Sequence, residues 1–232
     1  VSLTLDLLKL ALLGGFITLD ETAFLQVMAS RPIVVGPLVG WLIGDLESGL
    51  LLGSILELIY LDVLPAGAAH FPDSGLAAVV GTGVLELSEK YYMKIYPGTW
   101  LVVIMIAILT AYLGGHSITF LRRRNAYLLK KVEGHLAQGR LWAVAVFQGI
   151  GLIFSFIRGW TMTLVLTAVF LAVVKWAGVS LGLAVPFPLI AGRNLIICAS
   201  LALGVRLFVK SGTFIYFVFG ACIALTFLRF GV

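Results

Sequence analysis

From Gly98 to Leu121 the chain runs for 24 residues without a charged side chain. About 20 apolar residues in a helix cross the roughly 30 Å hydrocarbon core of a bilayer. Inside that core every backbone N–H and C=O must be satisfied within the protein, which leaves helices or closed barrels. The apolar runs here lack the alternation of barrel strands, so helices are expected. Composition agrees: 61% of the residues are hydrophobic and 12% are charged, against about a quarter charged in soluble domains. The sequence reads as an integral membrane protein. Its first run, from Leu3 to Leu19, carries Asp6 and Lys9 without a basic leader or a small-residue cleavage site. It is expected to be a retained membrane segment, not a signal peptide.

Charge divides the chain. Residues 1 to 90 hold ten acids against three bases, a net −7, while residues 91 to 232 hold thirteen bases against Glu133 alone, a net +12. Six of those bases, Arg122, Arg123, Arg124, Lys130, Lys131 and Arg140, follow the long apolar run. The positive-inside rule places that interval in the cytoplasm; nucleic-acid binding is the lesser reading of such a run, and none is expected. Cys198 and Cys222 lie in apolar runs, where thiols act as small hydrophobes, so neither a disulfide nor a metal site is expected.

Before the long span the apolar runs are short. Leu3 to Leu19 ends at the acidic pair Asp20 and Glu21, read as a boundary. Thirteen residues from Pro32 to Gly44 carry no charge, and as helix they reach only about 20 Å. Gly36, Gly40 and Gly44 recur at every fourth residue, a face without side chains that lets a second backbone approach closely. A second run, Ser48 to Leu61, is broken by Glu57, which shares a helix face with Ser54 and Tyr60. The sequence VLPAGAAHFPD then interposes two prolines and a glycine, denying that stretch helical hydrogen bonds. A third short run, Ser74 to Leu87, follows Asp73, which is well placed as an N-cap. Half-length segments joined by such a loop resemble the discontinuous helices of transporters.

The expected fold is therefore all-α and polytopic, a bundle with short discontinuous or re-entrant helices in its N-terminal part. Residues 1–121 would hold these segments and the candidate site, residues 122–140 a basic cytoplasmic loop, and residues 141–232 further membrane helices. Lysines and tyrosines between Ser88 and Pro97, with Trp100, mark a membrane–water interface. Apolar runs at roughly 141–157, 160–178, 181–204 and 212–228 follow, and the spacing leaves open whether Arg158 sits at a turn or inside one long helix. Arg193 is either a functional intramembrane arginine or a structural one that pairs with an N-terminal acid or snorkels to a head group.

An ionisable group at membrane depth costs roughly 2.5 to 3.5 kcal/mol on insertion scales, so it faces protein or a water-filled path. Glu57, Asp62, His70 and Asp73 meet that description and centre attention on residues 49–75. Each has a structural alternative: Glu57 can brace the broken helices, Asp73 can serve only as a cap, and His70 can hold a local loop partner.

The stretch from Arg31 to Asp73 resembles the membrane IIC subunit of the mannose-fructose-sorbose class of the bacterial phosphotransferase system. Arg31 and Pro32, Gly40, Gly44 and Asp45, Gly49, Gly53, Glu57, Gly67, Ala68, Ala69, Pro72 and Asp73 follow the family's motif in order. The resemblance implies a sugar-translocating subunit of a phosphoenolpyruvate-dependent system, in the bacterial inner membrane, with a hexose or related sugar as substrate. It further implies a IID membrane partner, cytoplasmic IIA and IIB phosphocarriers, and an oligomer of IIC–IID pairs. The phosphoryl donor is expected on IIB, not on this chain, and no cofactor or catalytic residue is expected here. Glu57, Asp73, His70, Gly67 and Ala68 are the implied substrate-binding residues. The sequence departs from the pattern before Arg31, where Asp20 and Glu21 lie ten or eleven residues upstream and Gln26 stands nearer, and again at Pro65 and His70. Two other readings are an ion-coupled carrier with Glu57 as its proton site and a non-transporting receptor or scaffold.

Overall fold

The computed structural model describes residues 2–24, 26–61, 63, 71–92 and 97–180. Six helices occupy them: α1 (Leu3–Thr22), α2 (Pro32–Ile43), α3 (Leu46–Ile59), α4 (Ser74–Tyr91), α5 (Pro97–Leu136) and α6 (Trp142–Ser180). The expectations for residues 181–232, Arg193 included, lie outside the described residues.

The two shortest helices form a hairpin. Pro32 opens α2 at a position where its missing N–H costs nothing. Gly44, at φ +148°, ends the helix in a conformation that favours glycine. Asp45 then caps α3 by accepting the Glu47 N–H at 3.0 Å. The chain so reverses within two residues, and the glycine faces meet. A Cβ built on Gly36 would strike the Gly49 carbonyl and come within 2.7 Å of the Gly53 Cα. The seam is backbone against backbone, as the four-residue glycine spacing predicts.

Helix α4 is the axis of the molecule. Every residue from Ser74 to Ser88 is buried, enclosed by α1, α2, α3, α5 and α6. Around it the protein is apolar outward. Leu5, Leu8, Leu12 and Phe16 of α1, Met105 and Ile108 of α5, and Val165 and Val169 of α6 are exposed. Large exposed apolar faces on a stable chain mark contact with lipid or protein. α5 and α6 are each long and apolar enough to cross a membrane. Small residues let α1 lie close on α6: a Cβ on Gly159 would strike the Thr18 hydroxyl and approach the Gly14 carbonyl at 2.7 Å.

Two boundaries differ from the sequence expectation, and one that it left open is fixed. Residues 122–136, expected in a loop, continue α5, whose 40 residues measure about 60 Å, twice the hydrocarbon thickness. The reversal is confined to residues 137–141, where Gly139 adopts φ +75°. Alanine-like and long straight side chains from Arg122 to Leu136 suit a helix once it has been nucleated by the apolar run. The runs at 141–157 and 160–178 are one helix, with Arg158 in its interior. Finally, α1 passes through Asp20 and Glu21 to Thr22, and both acids are buried instead of marking a solvent boundary.

The far end of the bundle is tied by charge. Asp6 accepts Lys90 Nζ at 2.8 Å and Tyr91 Oη at 2.9 Å, and Lys90 also donates to the Ile43 carbonyl. The hydrogen bond to Asp6 raises the Lys90 ammonium above the ordinary lysine range, outweighing its partial desolvation. Lys175 lies 4.7 Å from the Tyr92 ring centroid at the same end, completing a belt of the kind found at membrane interfaces.

Replacing Gly36 by alanine is expected to lower the thermal midpoint of the detergent-solubilised protein through about 1 to 3 kcal/mol of overpacking. Gly134→Ala, where an added Cβ meets nothing within 4 Å, serves as the control and gains roughly 0.5 to 1 kcal/mol of helix stability. Equal melting of the two variants would show that the seam is not closed.

Candidate functional site

Asp73 stands at the N-cap of α4. Its Oδ1 accepts the Leu76 N–H at 2.8 Å, the N-cap bond that the sequence suggests. Its own N–H donates to the Ala111 carbonyl of α5 at 3.0 Å. The side chain is fully buried, held so close to α5 that a Cβ on Gly114 would come within 3.0 Å of its carboxyl carbon.

Arg158 of α6 compensates that charge. Its Nη1 donates to Asp73 Oδ2 at 3.0 Å, to Ser117 Oγ at 2.8 Å and to the Gly114 carbonyl at 3.4 Å. The arginine is only 9% exposed. A single buried ion costs several kcal/mol to desolvate, and a pair survives only where geometry and further hydrogen bonds are good. Ser117 precedes Arg122 by five residues, so the pair sits about 7.5 Å inward of the basic segment along α5.

The group is larger than a pair. Glu21 of α1, 6% exposed, lies within electrostatic range of the Asp73 carboxyl and of Arg158. Tyr60, at the end of α3, is buried within electrostatic range of Asp73. Several polar atoms here have no hydrogen-bond partner among the described residues: Arg158 Nε and Nη2, Glu21 Oε2 and Tyr60 Oη. Buried polar atoms are paired in more than nine cases in ten, so both donors and acceptors stand uncommitted around Asp73.

Glu57 belongs to a neighbouring group. Its Oε2 accepts the Ile33 N–H at 3.3 Å and its Oε1 lies 3.6 Å from Arg31 Nη1. These contacts fasten the end of α3 to the first turn of α2, the bracing alternative, and leave both side chains 17% exposed. Between the two groups lies the turn from Phe24 to Ser30. Asp20 organises it by accepting the Val27 and Ser30 N–H groups, each at 2.9 Å. Gln26 and Met28 there adopt φ +53° and +64°, a region that non-glycine residues rarely enter. The Ser30 carbonyl is packed against Gly75, where a Cβ would approach it to 2.9 Å. The structure thus gathers Asp20, Glu21, Gln26, Arg31, Glu57, Asp73 and Arg158 at one end of α4. His70, Gly67 and Ala68 lie outside the described residues.

Sequence reasoning did not assign Glu21 and Arg158 to this site. The signal for Arg158 was its isolation within a long apolar run. For Glu21 it was a face shared with Thr18, three residues earlier, which turns toward α6, where the Thr18 hydroxyl donates to the Ser155 carbonyl at 3.4 Å.

Short helices converging on a carboxylate–guanidinium group, beside two helices long enough to span, define a polytopic helical membrane protein with an internal polar site. More particularly, the chain belongs to the family described as the PTS system sorbose-specific IIC component, which matches residues 4–228. It is 26% identical over 145 residues to the fructose permease IIC component of Bacillus subtilis (strain 168), covering 62% of this chain and 51% of that protein. It is 44% identical over 55 residues to the sorbose-specific EIIC component of Klebsiella pneumoniae, covering 24% of this chain and 21% of that protein. With the mannose-specific EIIC component of Escherichia coli (strain K12) it shares 39% over 64 residues, 28% of this chain and 22% of the other. The aligned part of the chain spans about half or less of these relatives' length. A solved chain titled "Structure of membrane protein" superposes with a TM-score of 0.65 at 17% identity, over 97% of this chain and 87% of that one. That likeness establishes the fold.

Removing the guanidinium should leave Asp73 as an uncompensated buried charge. Arg158→Gln is expected to cost about 3 to 5 kcal/mol, read as a fall in the melting temperature of the solubilised protein. Adding Asp73→Asn should restore most of that loss, because the asparagine keeps the cap. No recovery in the double variant would dissolve the coupling.

Proposed function

We propose that this chain is the sugar-translocating membrane subunit of a phosphoenolpyruvate-dependent phosphotransferase system, working on a hexose or related sugar in the bacterial inner membrane. The observation that carries this reading is the convergence at one end of α4 of the break between α1 and α2 with the Asp73–Arg158 pair, with uncommitted buried donors and acceptors beside them. A sugar presents hydroxyls that both donate and accept. Carboxylates and a guanidinium, bonding to it by charge-assisted hydrogen bonds, offset its desolvation. Glu57 and Asp73, with His70, Gly67 and Ala68, are the proposed ligands.

In Glu57 the Arg31 pairing does not exhaust the carboxylate: each oxygen carries two lone pairs, and the side chain stays partly open. The relatives named as fructose, sorbose and mannose components support a sugar of this class. The proposed partners are a IID membrane subunit, forming an oligomer of IIC–IID pairs, and cytoplasmic IIA and IIB phosphocarriers, with IIB the phosphoryl donor. Exposed apolar residues on the α2–α3 hairpin, Trp41, Leu46 and Leu50 among them, support a protein neighbour there. We place the basic end of α5 in the cytoplasm, facing the phosphocarriers.

Two measurements test the reading. Glu57→Gln should weaken sugar binding by the purified IIC–IID complex roughly ten- to over a hundredfold, the equivalent of one hydrogen bond to a charged group. Calorimetry reads the binding and size-exclusion chromatography the assembly; unchanged affinity would remove Glu57 from the site, and a lost complex would leave it a brace. Cysteine at Ala126, an exposed position, should resist a membrane-impermeant thiol reagent in intact cells and react after permeabilisation. Labelling of intact cells would reverse the orientation.

A further inference from the structure

A second polar group lies near the other end of α4, about 20 Å along the helix from Asp73, where its last turns meet the α2–α3 turn. Ile43, Gly44, Asp45, Glu86, Glu89 and Lys90 line a cavity of about 290 Å³ there. Three of the six are carboxylates. Glu86 is only 3% exposed, and its Oε1 is buried without a hydrogen-bond partner. Glutamate is almost never buried so fully unless it is paired.

The base in the cavity wall does not supply the pairing. Lys90 Nζ is held by Asp6 at 2.8 Å and by the Ile43 carbonyl at 3.0 Å. Among the described residues Asp45, Glu86 and Glu89 form no ion pair. Asp45 accepts the Glu47 N–H, which leaves its charge uncompensated. A cleft lined by one sign of charge with low-dielectric walls concentrates the opposite sign, so the fitting occupant is a cation. Among the described residues no three acidic, histidine or cysteine side chains are grouped to hold one metal ion; these carboxylates stand around a space, not around a point. A guanidinium suits that spread, being planar, forked, rich in N–H donors and more weakly hydrated than an ammonium.

The setting identifies the source of the guanidinium. Leu46, next in the chain to Asp45, and Leu50, one turn on, are 54% and 48% exposed, so the acidic cavity adjoins the apolar surface of the hairpin. An arginine held in a desolvated pocket among apolar contacts is a common anchor of protein interfaces. A second copy of this chain does not offer one. The described arginines lie at the Asp73 end of α4 or in and beyond the basic part of α5, and a copy inserted in the same orientation keeps them on that side. We propose that the cavity between Gly44 and Glu86 receives an arginine side chain of the membrane chain that covers the α2–α3 hairpin, the IID subunit of the assembly proposed above, on which this inference rests. The guanidinium bonds Glu86 and reaches Asp45 or Glu89 with its remaining N–H groups. The two chains are thereby locked at the end of α4 opposite the sugar site.

The test is carbodiimide labelling of Glu86, located by peptide mass spectrometry, in membranes of cells making the full chain alone or together with its IID chain. Glu86 should be labelled in the chain alone and protected roughly ten- to a hundredfold beside IID, the equivalent of one hydrogen bond to a charged group. Ethylguanidinium added to the chain alone should restore protection, and sodium at the same concentration should not. Glu86→Gln should weaken the purified complex about 30-fold or more, as loss of one side of a buried charge pair does. An arginine-to-glutamine change at the matching position of IID should weaken the wild-type complex as much and the Glu86→Gln complex little further. Equal labelling of Glu86 with and without IID would overturn the proposal, as would two chains that do not associate. Protection by sodium equal to that by ethylguanidinium would also overturn it, making this an inorganic-cation site. A complex that protects Glu86 yet binds no sugar would support the lock while removing the sugar reading. Should Glu86→Gln fail to fold, the labelling of the wild-type chain decides alone.

Discussion

The contact between Asp73 and Arg158 ties the start of α4 to α5 and α6 through one buried ion pair. Asp73 caps α4, is hydrogen-bonded through its backbone to α5, and draws a guanidinium from α6 into the same point. Three helices therefore share one charge-compensated junction beneath a wholly buried α4. Along its length α4 packs through contacts such as Gly81 against Ala107 and Gly83 against Leu10, and at its other end Lys90 and Tyr91 bind Asp6 of α1. The small-residue packing fixes distance but allows an axial slip. In a bilayer there is no hydrophobic drive between helices to resist that slip, so the polar ties at the two ends of α4, Asp73 to Arg158 and Lys90 to Asp6, set the register.

The same junction explains why two acidic side chains so near in sequence have different surroundings. Asp73 is buried and its ion pair is a structural anchor, while Glu57 pairs with Arg31 at a partly open position. A ligand that competes for Glu57 disturbs the edge of the α2–α3 hairpin. One that competes for Asp73 loosens the centre. The uncommitted atoms of Arg158, Glu21 and Tyr60 let the inner group accept a neutral polar molecule without first breaking the ion pair.

Much of this was legible in the residues. The membrane class followed from charge-free length, a close backbone contact on α2 from glycine spacing, and the α4 cap from Asp73 before an apolar run. What was not legible depended on tertiary partners. Helical continuation through Arg122–Leu136 could not be told from a polar loop, because periodicity is weak where charge is dense and the partner strip lies across the reversal on α6. Asp20 and Glu21 looked like a solvent boundary because a sequence carries no sign of the amides and the arginine that fold over them. Arg158 was visible as an anomaly, but its partner stood 85 residues earlier, beyond any local pattern. The residues at 64–70 and beyond 180, where His70, Gly67, Ala68 and Arg193 fall, lie outside the described part of the chain.

That separation has a meaning in time. α4 is enclosed by helices made before it and after it, so its enclosure waits on α6. At about 5 to 20 residues per second, a ribosome reaches Arg158 roughly 4 to 17 seconds after Asp73. Through that interval α4 carries Asp73, Thr82 and Glu86 with neither water nor a guanidinium assured to them in the bilayer. It is a poor candidate for release into lipid alone. The α2–α3 hairpin, whose seam contains no side chains to order and whose turn is two residues long, can close at once. Synthesis is thus divided into an early, self-sufficient unit and a late step in which one arginine seals the rest, and a nascent chain interrupted before residue 158 is left with an acid that has no counter-ion.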